Sequence, residues 1–117
     1  MGRQYSLDYL ESISGGDKGF IEDMLRTFIT SVPEELEKLE KLIGETNWRK
    51  VGEEAHKFGS NLLYLELEDL KRLALKIESY GLDEEHLDEI PQLFQELKNG
   101  CNNLISILKK DFVFLNE

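Results

Sequence analysis

The 117 residues include one cysteine and two prolines. A lone Cys101 excludes an internal disulfide. The chain has no Cys-x-x-Cys pair and no Cys/His cluster, so it also lacks a framework for structural zinc. A reducing cytoplasm is therefore the expected setting. No apolar run approaches the ~18 residues of a membrane span, and the opening "MGRQYSLDYLES" has no hydrophobic signal segment. Gly2 after the initiator Met is only a weak match to a myristoylation pattern. Basic residues are scarce as well: 14 Lys and Arg stand against 24 Asp and Glu, a net charge of -10. That balance argues against nucleic acid and against an anionic membrane surface as partners.

Short alternating β-branched runs are nearly missing, so strands have little to build on. What remains is 40% hydrophobic and 32% charged residues, enough for one compact core over residues 1–117. The apolar positions recur at helical spacing. Ser6 is placed to cap a short first helix that Gly15 and Gly16 end, and Asp17 to cap a second. Phe20, Ile21, Met24, Leu25 and Phe28 share one face of that second helix. Pro33 reads as the first turn of a new helix carrying Leu36, Leu39, Leu42 and Ile43 up to Gly44.

Thr46 or Asn47 then precedes a seam of Trp48, Val51, Ala55, Phe58, Leu62 and Leu65. Leu70, Leu73, Ala74 and Ile77 follow, with an end expected near Gly81. The last seam runs from about Ile90 to Phe112, with Pro91 in its first turn. These patterns predict an all-α antiparallel four-helix bundle, up-down-up-down, with one or two short N-terminal helices across one end.

One helix carries an oddity. In "VGEEAHKFGSNLL", His56 lies one residue past the seam and has Gly52, Glu53, Gly59 and Ser60 as its helical neighbours. Each glycine costs ~1 kcal/mol relative to alanine in a helix interior. Small neighbours leave an imidazole open to approach by another protein. Free imidazole titrates near ~6.5, so a histidine ring commonly keeps a nucleophilic lone pair at cell pH. The alternative is structural, since two helix glycines serve close helix packing equally well.

The segment "AHKFGSNLLYLELEDLKRLALKIE" resembles the phosphoacceptor region of histidine-containing phosphotransfer (HPt) domains, with His56, Phe58, Ser60, Leu65 and Leu67 at matching positions. Ile77 and Glu78 match the apolar-Glu pair of the next helix. Upstream, the aspartate after the glycines, the Pro-Glu-Glu-Leu start and the Asn-Trp before the histidine helix are similar too, so the likeness runs from about Tyr5 to Glu78. The family commonly has a lysine where this chain has Gly59, and a glycine where it has Glu66. Lys57, a nearby cation, lies about 100° around the helix from His56.

The resemblance implies a phosphorelay intermediate. His56 is the expected phosphoacceptor, taking a phosphoryl group from a receiver-domain aspartate and passing it to another receiver, without kinase activity of its own. The partners it implies are response-regulator receiver domains or a hybrid histidine kinase, with Mg²⁺ held by the receiver and no cofactor or metal on this chain. Gly52, Lys57, Gly59, Ser60 and Leu63 are the expected docking residues, on a free-standing cytoplasmic monomer. The chain has no G-x-x-x-x-G-K-[ST] loop, which agrees with a carrier role. Two other readings remain. One is an HPt-like adaptor that docks without chemistry. The other is a di-iron bundle, because "EEAH" places Glu53 and His56 at Glu-x-x-His spacing and "DEEH" partly echoes it at Asp83 and His86.

Overall fold

The computed structural model describes residues 5–117, so Gly2 lies outside the described part. Among the described residues all regular structure is helical. The helices are α1 (Asp8–Ser14), α2 (Lys18–Gly44), α3 (Trp48–Leu62), α4 (Glu68–Asp83) and α5 (Ile90–Asp111). Single 3-10 turns occupy Leu63–Leu65, Leu87–Glu89 and Val113–Asn116.

The helix ends follow local chemistry. Asp17 accepts a hydrogen bond from the Phe20 backbone N–H at 3.2 Å and so satisfies one of the orphan donors of α2. Gly15 closes α1 with φ 64°, the left-handed geometry that glycine adopts at no steric cost. Leu7, not Ser6, holds the cap position of α1. The Ser6 hydroxyl still accepts from the Asp8 N–H at 3.1 Å. Asn47 sits at the cap of α3 without a side-chain bond to it.

Pro33 does not begin a helix. It lies inside α2, a single helix of 27 residues. Proline in a helix interior removes one backbone bond and costs ~3 kcal/mol. Here the ring is exposed, while Leu25, Phe28, Val32, Leu36 and Leu39 carry one buried stripe straight past it. Full burial of each large aliphatic or aromatic side chain contributes ~1.5–3 kcal/mol, so tertiary packing outweighs the local break. One short N-terminal helix results, not two.

The four long helices form a closed ring of neighbours: α2 packs on α3 and α5, α3 on α4, and α4 on α5. Helix α1 lies against α2 and the 3-10 turn after α3. Leu25, Leu39, Phe58, Ile77, Leu97 and Leu104 fill the middle and are fully buried. Glu54, almost fully buried, pairs with Lys38 of α2 at 3.4 Å. No buried side-chain polar atom among the described residues lacks a hydrogen-bond partner, as a well-packed interior requires. Cys101 is buried in α5, and burial pushes its thiol pKa up to about 12.

Candidate functional site

Helix α3 presents two opposite faces. Val51, Ala55, Phe58 and Leu62 are buried, and His56 projects from the other side with its side chain 69% exposed. Its Nδ1 lies 3.0 Å from Oε2 of Glu78 on α4. A carboxylate only accepts hydrogen bonds, so Nδ1 is the donor in this pair, and the tautomer it selects puts the lone pair of an uncharged ring on Nε2. The Glu78 side chain is itself only 21% exposed.

The glycines have a different task from the one expected. Gly52 and Gly59 are both buried and do not open a space above His56. A methyl group on Gly52 would come 2.7 Å from Leu82 Cγ and 3.0 Å from the Glu78 carbonyl oxygen. On Gly81 of α4 it would meet the Trp48 carbonyl oxygen at 2.8 Å and the Gly52 nitrogen at 2.9 Å. Gly52 and Gly81 thus let the backbones of α3 and α4 touch, and that close crossing brings Glu78 within reach of His56. Gly81 is correspondingly not a helix end, and α4 continues to Asp83 before Glu84 turns left-handed at φ 52°. Gly59 is roomier, with only Ala74 Cβ at 3.6 Å from an added methyl.

Of the expected docking residues, Lys57, Ser60 and Leu63 are exposed, while Gly52 and Gly59 are buried in the α3–α4 contact. The Ser60 hydroxyl donates to the His56 carbonyl at 3.3 Å. Sequence reasoning did not consider the exposed side chains of α4 beside Glu78. Leu75 and Leu82, each about half exposed, stand three residues before and four after Glu78 on the same helical face. The signal that could have found them is that spacing, an exposed leucine pair bracketing a carboxylate.

Glu66, at the position of the family's turn glycine, has φ 54° and ψ 46°. The left-handed turn is therefore kept without its glycine. The residues of the di-iron reading all face solvent: Glu53 pairs with Arg49 at 3.7 Å, His56 with Glu78, and His86 with Glu89 at 3.2 Å. Among the described residues no group of three or more His, Cys, Asp or Glu side chains is placed to hold a metal ion.

Comparison with known families gives a match to the Hpt domain over residues 23–106, most of the chain. The chain belongs to the Hpt domain family. No curated protein and no solved structure matches it. Hpt domains serve histidine phosphotransfer in two-component signalling and are carriers, not kinases. The matched region of this Hpt domain takes in all of α3 and α4, and with them His56, Glu78 and the glycine crossing. No helix among the described residues is long and apolar enough to cross a membrane.

Proposed function

We propose that this Hpt domain is a phosphorelay intermediate with His56 as phosphoacceptor, taking its phosphoryl group from the aspartyl phosphate of one receiver domain and delivering it to another. The observation that carries the reading is the exposed imidazole with Nδ1 tied to Glu78 and Nε2 free. Nε2 attacks phosphorus, the P–N bond forms, and the bond to the aspartyl oxygen breaks, so the receiver's carboxylate leaves as an anion. The ring gains positive charge as this happens, and the Glu78 carboxylate beside Nδ1 stabilises it. Positioning and charge compensation supply the catalysis, as is general for phosphoryl transfer. The Mg²⁺ belongs to the receiver, and the reverse reaction passes through the same arrangement.

Docking over Lys57, Ser60, Leu63, Leu75 and Leu82 would bring the receiver onto the α3–α4 face. Short connections between the long helices support an up-down-up-down antiparallel order, with the domain acting as a cytoplasmic monomer. The direct test is incubation with a phosphorylated receiver domain, followed by assay for acid-labile, base-stable phosphate on the protein. Wild type is expected to be labelled and His56→Gln to remain folded but unlabelled. Undiminished labelling of the variant would remove His56 from the mechanism. The adaptor reading keeps one specific ground, the buried Gly59 where the family commonly has a lysine beside the phosphoryl group. The same assay decides against it if wild type is labelled.

A further inference from the structure

At the junction of α1, α2 and the end of α3 lies a second surface of different character. Tyr9 and Tyr64 are exposed there, and their rings stand 6.1 Å apart. Beneath this apolar rim is an open cavity of about 150 Å³, with Met24, Phe28, Val32, Tyr64 and Leu65 in its walls and Glu35 and Asn61 on its polar side. Asn61 and Tyr64 follow His56 by five and eight residues, so the cavity begins ~8–12 Å along the helix from the imidazole.

The size and chemistry of the cavity narrow its occupant. Cofactor and drug-sized ligands need ~300–1,000 Å³, whereas ~150 Å³ holds an object the size of one ring or one side chain. Both Glu35 oxygens accept from the single Asn61 Nδ2, each at 2.9 Å. A carboxylate offers about four acceptor positions, so capacity remains toward the cavity. Among the described residues no cation stands within ion-pair distance of Glu35: Lys38 pairs with Glu54, and it and Lys57 act on the Glu35 carboxylate only from farther away. Burial is the largest influence on the Glu35 carboxyl and raises its pKa above the ordinary glutamate value, outweighing the Asn61 hydrogen bond and the two more distant lysines, so a closer cation would favour the charged form. An apolar side chain entering the cavity would desolvate that carboxylate further without a partner. A lysine or arginine does not: its aliphatic stem lies on the apolar walls and its head meets the acid. The net charge of -10 favours a basic surface on the visitor in any case.

We propose that this cavity receives one lysine or arginine side chain of the receiver domain docking over His56, with Glu35 as its counter-charge. The assignment rests on the relay reading and makes Glu35 a specificity determinant outside the reacting centre. The test uses the full chain and receiver domains of the same organism, each charged with acetyl phosphate and Mg²⁺, and measures the transfer rate to His56 against receiver concentration. Glu35→Gln is expected to raise the half-saturating concentration at least tenfold with the saturated rate unchanged. Ser31→Leu, which fills the cavity from α2, is expected to do the same. Thermal unfolding checks that both variants are folded, and if Ser31→Leu is not, Glu35→Gln decides alone. Glu35→Lys should weaken transfer further and be rescued by a Glu in place of the receiver's basic residue.

If wild type is labelled and Glu35→Gln saturates like wild type, the proposal is overturned while the relay stands. If only Ser31→Leu weakens docking, the occupant is apolar and the proposal is again overturned. If no receiver labels wild type, the relay reading fails first and the docking assignment falls with it.

Discussion

Replacing Gly81 by alanine is expected to destabilise the fold, against the sign that helix propensity alone predicts. In a helix interior the change from glycine to alanine gains ~1 kcal/mol. At Gly81 the new methyl would lie 2.8 Å from the Trp48 carbonyl oxygen, 2.9 Å from the Gly52 nitrogen and 3.2 Å from the Gly52 Cα. All three are backbone atoms, so no rotamer change relieves the contact and α4 must move away from α3. Overpacking costs ~1–3 kcal/mol, and the rigid neighbours place this site at the upper end. The net expectation is a loss of ~2 kcal/mol. Gly59→Ala is the control on the neighbouring helix, because its methyl would meet only Ala74 Cβ at ordinary contact, 3.6 Å. It should gain up to ~1 kcal/mol. Urea unfolding followed by circular dichroism gives both values from midpoints at constant slope. A Gly81→Ala protein as stable as wild type, or more so, would refute the argument that backbone contact at this crossing sets the helix spacing.

Further expectations follow from single residues. Glu66→Gly should raise stability by ~0.5–1 kcal/mol, because a side chain at φ 54° costs ~1–2 kcal/mol and glycine's extra chain entropy returns only part of it. A lower thermal midpoint would count against that. Glu78→Gln should slow phosphoryl acceptance by His56 about tenfold or more by removing the compensating charge. In ¹⁵N spectra of the histidine ring, wild type should show the protonated nitrogen at Nδ1, and the same nitrogen signals in Glu78→Leu would show that Glu78 does not set the tautomer.

Glu35→Gln should stabilise the isolated domain at neutral pH. Burial raises the carboxyl pKa in the folded state, so the stability that the protonated acid confers is complete below the unfolded value of ~4.3 and is lost as pH rises through the folded one. The advantage of the glutamine should therefore vanish in unfolding curves taken near pH 3.

The helices themselves were legible because their cause is local. The seam from Val51 through Ala55, Phe58 and Leu62 to Leu65 is periodic in the chain and buried in the structure. Asp17 caps because its own backbone neighbours supply the donor. The histidine also stood out, since its small helical neighbours are visible in sequence. Their purpose was not visible. Gly52 and Gly59 face α4, and only knowledge of what packs there turns an apparent clearing into a contact.

Pro33 shows the same limit from the other side: its local preference for a helix start is real, but burial on both sides of it keeps α2 continuous. The sequence by itself determined an all-helical chain, the span of its amphipathic faces, the family likeness and the candidate nucleophile, because periodicity and caps depend on residues a few positions apart. Tertiary structure alone decided that Gly52 meets Gly81, that Glu78 reaches His56 from 22 residues away, and that Glu35 lines a cavity with Tyr64. Those pairings depend on how closely two helices cross, which the packing of the whole core sets.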